Sequence, residues 1–120
     1  MAVIYIAGPM TGYKDHNRTA FFTEAMRLAA DGHVVLNPAT LPEGLSQQQY
    51  MSICIPMLMC ADVIYLLEGW EDSAGARAEY AMALKLNIDV SLPPVREDGK
   101  SITQPGVDQT PHNQQINLSE

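Results

Sequence analysis

A chain of 120 residues has room for one domain and one core. Seven basic against fourteen acidic side chains give a net charge of −7, which excludes a general nucleic-acid-binding surface but not a small nucleotide held by backbone amides. No apolar run approaches the length of a membrane span, and the N-terminus reads as a first strand rather than a leader. Cys54 and Cys60 lack companion ligands at zinc-site spacing, so a cytoplasmic protein with reduced thiols, no membrane partner and no metal is expected.

Val3 to Ala7 is a short apolar strand, and Gly8-Pro9-Met10-Thr11-Gly12 after it is a tight loop where backbone can approach a ligand. The glycine spacing fits neither a dinucleotide fingerprint nor a Walker loop. Tyr5 shares a strand face with Val3 and Ala7. Asn17 to Ala30 has helical periodicity, with Phe21, Ala25 and Leu28 on one side and Phe22, Met26 and Ala29 beside them. Asp15 or Asn17 can cap this helix and Gly32 can stop it in the left-handed conformation. A second strand from His33 to Leu36 ends in Asn37-Pro38, where the proline keeps Asn37 out of a helix at the strand's carboxyl end. His33 is expected to be solvated, at the opposite edge.

Ser46 with Gln49 three residues later is a capping-box pattern opening a helix through Tyr50 and Ile53, which Pro56 must kink or restart. Met51, Met57 and Met59 make this 46–60 segment Met-rich, suited to core filling or to a contact in a homodimer or larger homo-oligomer. Val63 to Leu67 is apolar without alternation, as in a parallel strand covered on both faces. A polar turn from Glu68 to Ser73 leads into a helix from about Ala74. Ile88 to Leu92 is a fourth strand. The order βαβαβαβ predicts a three-layer α/β domain over residues 1–92, a flavodoxin/Rossmann-like parallel sheet of four to five strands with right-handed crossovers and strand order 2-1-3-4. Residues 93–120 read as an extended arm or disordered tail.

Glu79 is the most informative position. At 100° per residue, Gly75, Ala76, Met82, Ala83 and Leu86 form an apolar stripe with Glu79 in its middle, while Arg77, Ala81 and Lys85 lie away from it. A carboxylate on a buried stripe is costly unless paired or hydrogen-bonded. Its side chain leans back toward the helix N-terminus, over Gly75, whose missing side chain leaves space for a ligand. Parallel sheets carry ligand sites beyond the carboxyl ends of their strands, where a helix N-terminus meets an anion. Ser73 and Gly75 stand at that junction. A buried arginine partner is the bland alternative for Glu79.

Tyr5-Ile6-Ala7-Gly8-Pro9-Met10, Asn37-Pro38-Ala39, and the run from Leu67 to Ala76 with Glu79 resemble a DUF4406-like family of small phage and prophage proteins of uncharacterised function. That family is similar to the nucleoside 2-deoxyribosyltransferases and the nucleoside 5′-monophosphate N-glycosidases. The resemblance implies a glutamate, Glu79, that attacks or shields the anomeric carbon as an N-glycosidic bond breaks, and a tyrosine, Tyr5, that holds it. It implies substrate contacts from Gly8, Pro9, Met10, Asn37, Trp70, Asp72, Ser73 and Gly75, a small-molecule nucleotide or nucleoside as ligand, and no cofactor. Ser73 stands where the transferases carry Asp and the monophosphate hydrolases carry Ser, so a 5′-phosphate at the helix N-terminus is favoured; Asp72, one place earlier, keeps the transferase reading open. The resemblance also fails at one point. Both enzyme groups carry a base-handling aspartate eight residues ahead of the Asp that opens the central strand, and counting back from Asp62 lands on Cys54. An N-glycosidase or deoxyribosyltransferase therefore stands beside a second expectation, a catalytically weak nucleotide-binding phage protein that senses or sequesters its ligand.

Overall fold

The computed structural model describes residues 1–93. Four parallel strands, β1 (Val3–Ala7), β2 (Val34–Leu36), β3 (Val63–Leu66) and β4 (Asp89–Ser91), form one sheet in the order β2-β1-β3-β4. Helices α1 (Arg18–Ala30), α2 (Gln47–Met59) and α3 (Ala74–Lys85) connect them. The predicted α/β class and strand order both hold. The expected arm lies outside the described residues except for its first residue, Pro93.

The two central strands are apolar because both of their faces are covered. Ile4, Ile6, Val63 and Tyr65 point to one side, where they bury Phe21 and Leu28 of α1. Tyr5, Ala7, Ile64 and Leu66 point to the other, against Cys54 and Leu58 of α2 and Ala76 and Ala83 of α3. This alternation is the two-residue period of a strand, and it sorts the helices into one layer of one and one layer of two. The edge strands are shorter than the predicted runs: β2 starts at Val34 and β4 spans only Asp89–Ser91, since each pairs with one neighbour over three residues.

Four local expectations are corrected. His33 is not solvated: it is buried, and its Nδ1 accepts the Ala2 backbone N–H at 3.1 Å. Phe22, Met26 and Ala29 are exposed, because the stripe that α1 presents to the sheet runs through Phe21, Glu24 and Leu28. Leu86 caps α3 and lies 41% exposed rather than on its buried face. Neither Asp15 nor Asn17 caps α1 through its side chain. Asp15, His16 and Asn17 all hold positive φ, and the Asn17 amide donates instead to the Pro9 carbonyl at 2.9 Å, tying the start of α1 to the loop after β1. Gly32, at φ +93°, does supply the left-handed stop. The capping box of α2 forms in both directions between Ser46 and Gln49, and the helix runs on through Pro56 to Met59. The Met-rich segment divides its methionines: Met51 faces the cleft described below, Met57 packs on the core, and Met59 is exposed.

Candidate functional site

The carboxyl ends of β1 and β3 lie side by side at the point where the strand order reverses, with Ala7 paired to Leu66 and the Leu67 N–H donating to the Ala7 carbonyl at 2.8 Å. Chains leaving these strands diverge to opposite faces, which opens a crevice there. The crevice is a cleft of 760 Å³, walled by the loop after β1, the loop before α2, the first turns of α2 and the N-terminus of α3. Gly8 and Gly75 form it in different ways. A Cβ on Gly8 would stand 2.8 Å from the Leu67 Cβ, so Gly8 permits β1 and β3 to exit in contact. A Cβ on Gly75 would meet nothing closer than the Met51 Sδ at 3.8 Å, so its absence leaves open space in the cleft.

Glu79 follows Gly75 by one turn and is buried on the same face of α3. Its Oε2 accepts the Tyr5 hydroxyl at 2.7 Å, and Tyr5 is fully buried on β1. Burial pushes the Glu79 carboxyl up to about 7, and the Tyr5 hydrogen bond, which favours the charged form, offsets only part of that. Burial, then the adjacent Glu79 charge, raises the Tyr5 phenol far above its ordinary range, so it stays protonated as a donor. Cys54 completes the group: its thiol contacts the Tyr5 hydroxyl, and burial holds it above the usual thiol range. The cleft floor is therefore a line of three side chains from three elements, Cys54 on α2, Tyr5 on β1 and Glu79 on α3.

Glu24 on the other face of the sheet shows what a structural buried carboxylate looks like in the same fold. It is 1% exposed, and its Oε1 accepts from the Tyr65 hydroxyl at 2.9 Å and from the Arg27 Nε at 3.0 Å, with the Arg27 Nη2 2.9 Å away in the ion pair. The two sites repeat one pattern, a strand tyrosine donating to a helix glutamate. The difference is the cation. Glu24 has Arg27; among the described residues no cationic side chain reaches Glu79.

Of the predicted site residues, Tyr5, Gly8, Pro9, Met10, Asp72, Ser73, Gly75 and Glu79 all line the cleft. Two do not. Trp70 packs its ring on Tyr80, with centroids 4.8 Å apart, and joins the core beside α3. Asn37 turns its side chain onto its own backbone, accepting the Ala39 N–H at 2.9 Å and opening a short 3₁₀ turn; its neighbour Pro38 lines the cleft instead. Ser73 is the N-cap of α3: its Oγ accepts the Ala76 N–H at 3.1 Å, which leaves its hydroxyl hydrogen as the group able to donate to a ligand. Arg18, His16 and Glu43 were missed. They line the cleft, where Arg18 bonds Glu43 at 2.8 Å and His16 stands 3.7 Å from it. Nothing in the linear order of these residues signals that they meet. Glu24, also missed, carries the signal that exposed Glu79: it falls on the apolar stripe between Phe21 and Leu28.

The chain belongs to the family described as a domain of unknown function, DUF4406, which matches residues 2–92. No curated protein matches it. Among solved structures it is similar to a 2-desoxiribosyltransferase from Leishmania mexicana, at 20% identity and a TM-score of 0.63, over 92% of this chain and 79% of that one. At that identity the likeness is one of fold. No helix of the described residues is long and apolar enough to cross a membrane, and no group of three or more His, Cys, Asp or Glu among them is placed to hold a metal ion.

Proposed function

We propose that this DUF4406 member binds a nucleoside or nucleotide in the cleft between β1 and β3 and breaks its N-glycosidic bond with Glu79. The observation that carries the reading is the contrast between the two buried glutamates. Glu24 is neutralised by Arg27 and needs no ligand. Glu79 is held by a single hydroxyl, faces a cleft and carries a burial penalty, which is the usual state of a carboxylate kept for chemistry. As the C1′–N bond breaks, positive charge develops at C1′, and an anion in a water-poor site stabilises it or forms a covalent sugar ester. Tyr5 orients the carboxylate, and the α3 N-terminus with Ser73 offers donors to a 5′-phosphate. The fold shared with a deoxyribosyltransferase is compatible with this chemistry.

A second reading is favoured by Cys54. Its protonated thiol occupies the cleft floor where the sequence resemblance implies an aspartate, so a phage factor that binds a nucleotide without turning it over also fits. Self-association through the Met-rich 46–60 segment belongs to either reading. Release of free base from a panel of nucleosides and nucleotides, followed by chromatography, decides between them. Glu79→Ala should lower turnover by about three powers of ten or more, and Tyr5→Phe should lower it while the fold is kept. A folded Glu79→Ala variant that turns over at the wild-type rate would refute the assignment. A wild type that binds nucleotide and releases no base would establish the second reading.

A further inference from the structure

When Glu79 ionises, the cleft floor carries a charge that no cationic side chain among the described residues balances, and no second buried carboxyl among them lines the cleft to protonate a departing base. Those two features bear on the ligand's chemistry. The charged and titratable side chains that line it are His16, Arg18, Glu43, Asp72 and Glu79, with His16 standing 3.7 Å from Glu43. Arg18 is already engaged, with Glu43 at 2.8 Å and Asp15 at 3.7 Å. Ionising Glu79 therefore leaves the cleft net negative, with its buried charge facing the ligand. The cleft also has apolar lining, to which Phe21, Met10, Met51 and Pro38 contribute. A carboxylate among apolar surfaces is stabilised by a cation that brings its own flat apolar body, and destabilised by a neutral polar one.

The leaving-group side points the same way. A neutral purine or pyrimidine leaves as an anion unless an acid protonates it. Cys54, the group nearest to Tyr5 and Glu79, is a thiol raised further by burial and is a weak donor. Glu43 is tied to Arg18, and Asp72 is exposed at the rim. A base that already bears a positive charge at the glycosidic nitrogen needs no donor.

Resting on the N-glycosidic reading above, we infer that the preferred ligand is an N-glycoside of a permanently cationic ring, a pyridinium nucleoside or nucleotide, with Glu79 as its counter-ion. In the reaction the C1′–N bond breaks and its electron pair passes to the ring nitrogen, so the base leaves as a neutral pyridine. The Glu79 carboxylate opposes the cation that forms at C1′. Water then supplies the new C1′–O bond and releases one proton to solvent. Charge and atoms balance with water as the only co-reactant, and no proton is delivered to the base.

Nicotinamide riboside and its reduced dihydro form test this directly, since they differ little in shape and differ by the ring's charge. Calorimetric binding and chromatographic base release are measured for both, with uridine and deoxyadenosine alongside. The cationic riboside should be preferred by at least about tenfold in Kd or in kcat/KM, and Glu79→Gln, which keeps an acceptor for Tyr5, should reduce the preference to about twofold or less. Preferential binding without cleavage supports the charge inference and assigns the protein to the binding reading. Neutral nucleosides bound and cleaved as well as the cation overturn this inference while leaving Glu79's proposed chemistry standing. No binding and no cleavage of any of the four ligands or of their 5′-monophosphates overturns both. The wild-type comparison needs no variant, so a poorly folded Glu79→Gln does not protect the idea.

Discussion

Replacing Glu79 by glutamine should stabilise the fold, and should do so only above acidic pH. In the unfolded chain this carboxyl titrates near its model value of 4.5, and in the folded protein near 7. Between these values the folded state keeps a proton that the unfolded state has released. Raising the pH through that window therefore favours unfolding, and the loss is complete above about pH 7. At 1.36 kcal/mol per pH unit, the gap amounts to about 3 kcal/mol. Glutamine has the same shape, never ionises and still presents an oxygen to the Tyr5 hydroxyl 2.7 Å away in the parent site. Urea unfolding followed by circular dichroism, from about pH 4.5 to about pH 8, reports both proteins. The wild type should lose about 3 kcal/mol relative to Glu79→Gln across that range, because other titrating groups cancel in the difference. Parallel pH profiles, agreeing within about 0.5 kcal/mol, would mean that Glu79 is already neutralised or hydrated in the folded state. Glu79 would then have no burial penalty for a ligand to relieve.

The glycines of the cleft should separate folding from binding. Gly8→Ala drives a Cβ to 2.8 Å from Leu67 and should destabilise the protein by about 1–3 kcal/mol; Gly75→Ala meets nothing within 3.8 Å, so it should fold at least as well and weaken nucleotide binding, and the opposite order in thermal melts would refute the assignment of roles. Ile53 and Met59 on α2 are 38% and 58% exposed, so light scattering should give a mass above the 13.2 kDa monomer. Ile53→Lys should lower that mass, and a wild type that is monomeric over a wide concentration range removes the self-association.

The elements were legible because their signals are local. Val3 to Ala7 and Val63 to Leu66 are continuous apolar runs, Ser46 and Gln49 are three residues apart, and Gly32 stops a helix by its own conformational freedom. The central position of β1 and β3 follows from their apolar character, since only strands covered on both faces can bury so many side chains. Glu79 was legible for the same reason: a carboxylate on a helical stripe is out of place within one turn's view. The same signal is present at Glu24, which lies on the buried stripe between Phe21 and Leu28, where the sequence reading places Ala25.

The sequence by itself determined the fold class, the strand order, the end of the sheet that holds the cleft and the carboxylate at its floor, because periodicity, capping and turn chemistry act over a few residues. Only the tertiary structure decided what each polar side chain does with its hydrogen bonds, since those partners are far apart along the chain. The Asn37 side-chain oxygen looked available to a ligand and is engaged by its own turn; Trp70 sits beside the site in sequence and packs on Tyr80, outside the cleft lining. Arg18 at the start of α1 and Glu43 in the loop before α2 meet at the cleft. The two buried glutamates are alike in sequence, each on a helical stripe and each bonded to a strand tyrosine. It is the Arg27 guanidinium, folded against Glu24 and without a counterpart at Glu79 among the described residues, that makes one a structural ion pair and leaves the other facing the cleft with the Tyr5 hydroxyl as its partner.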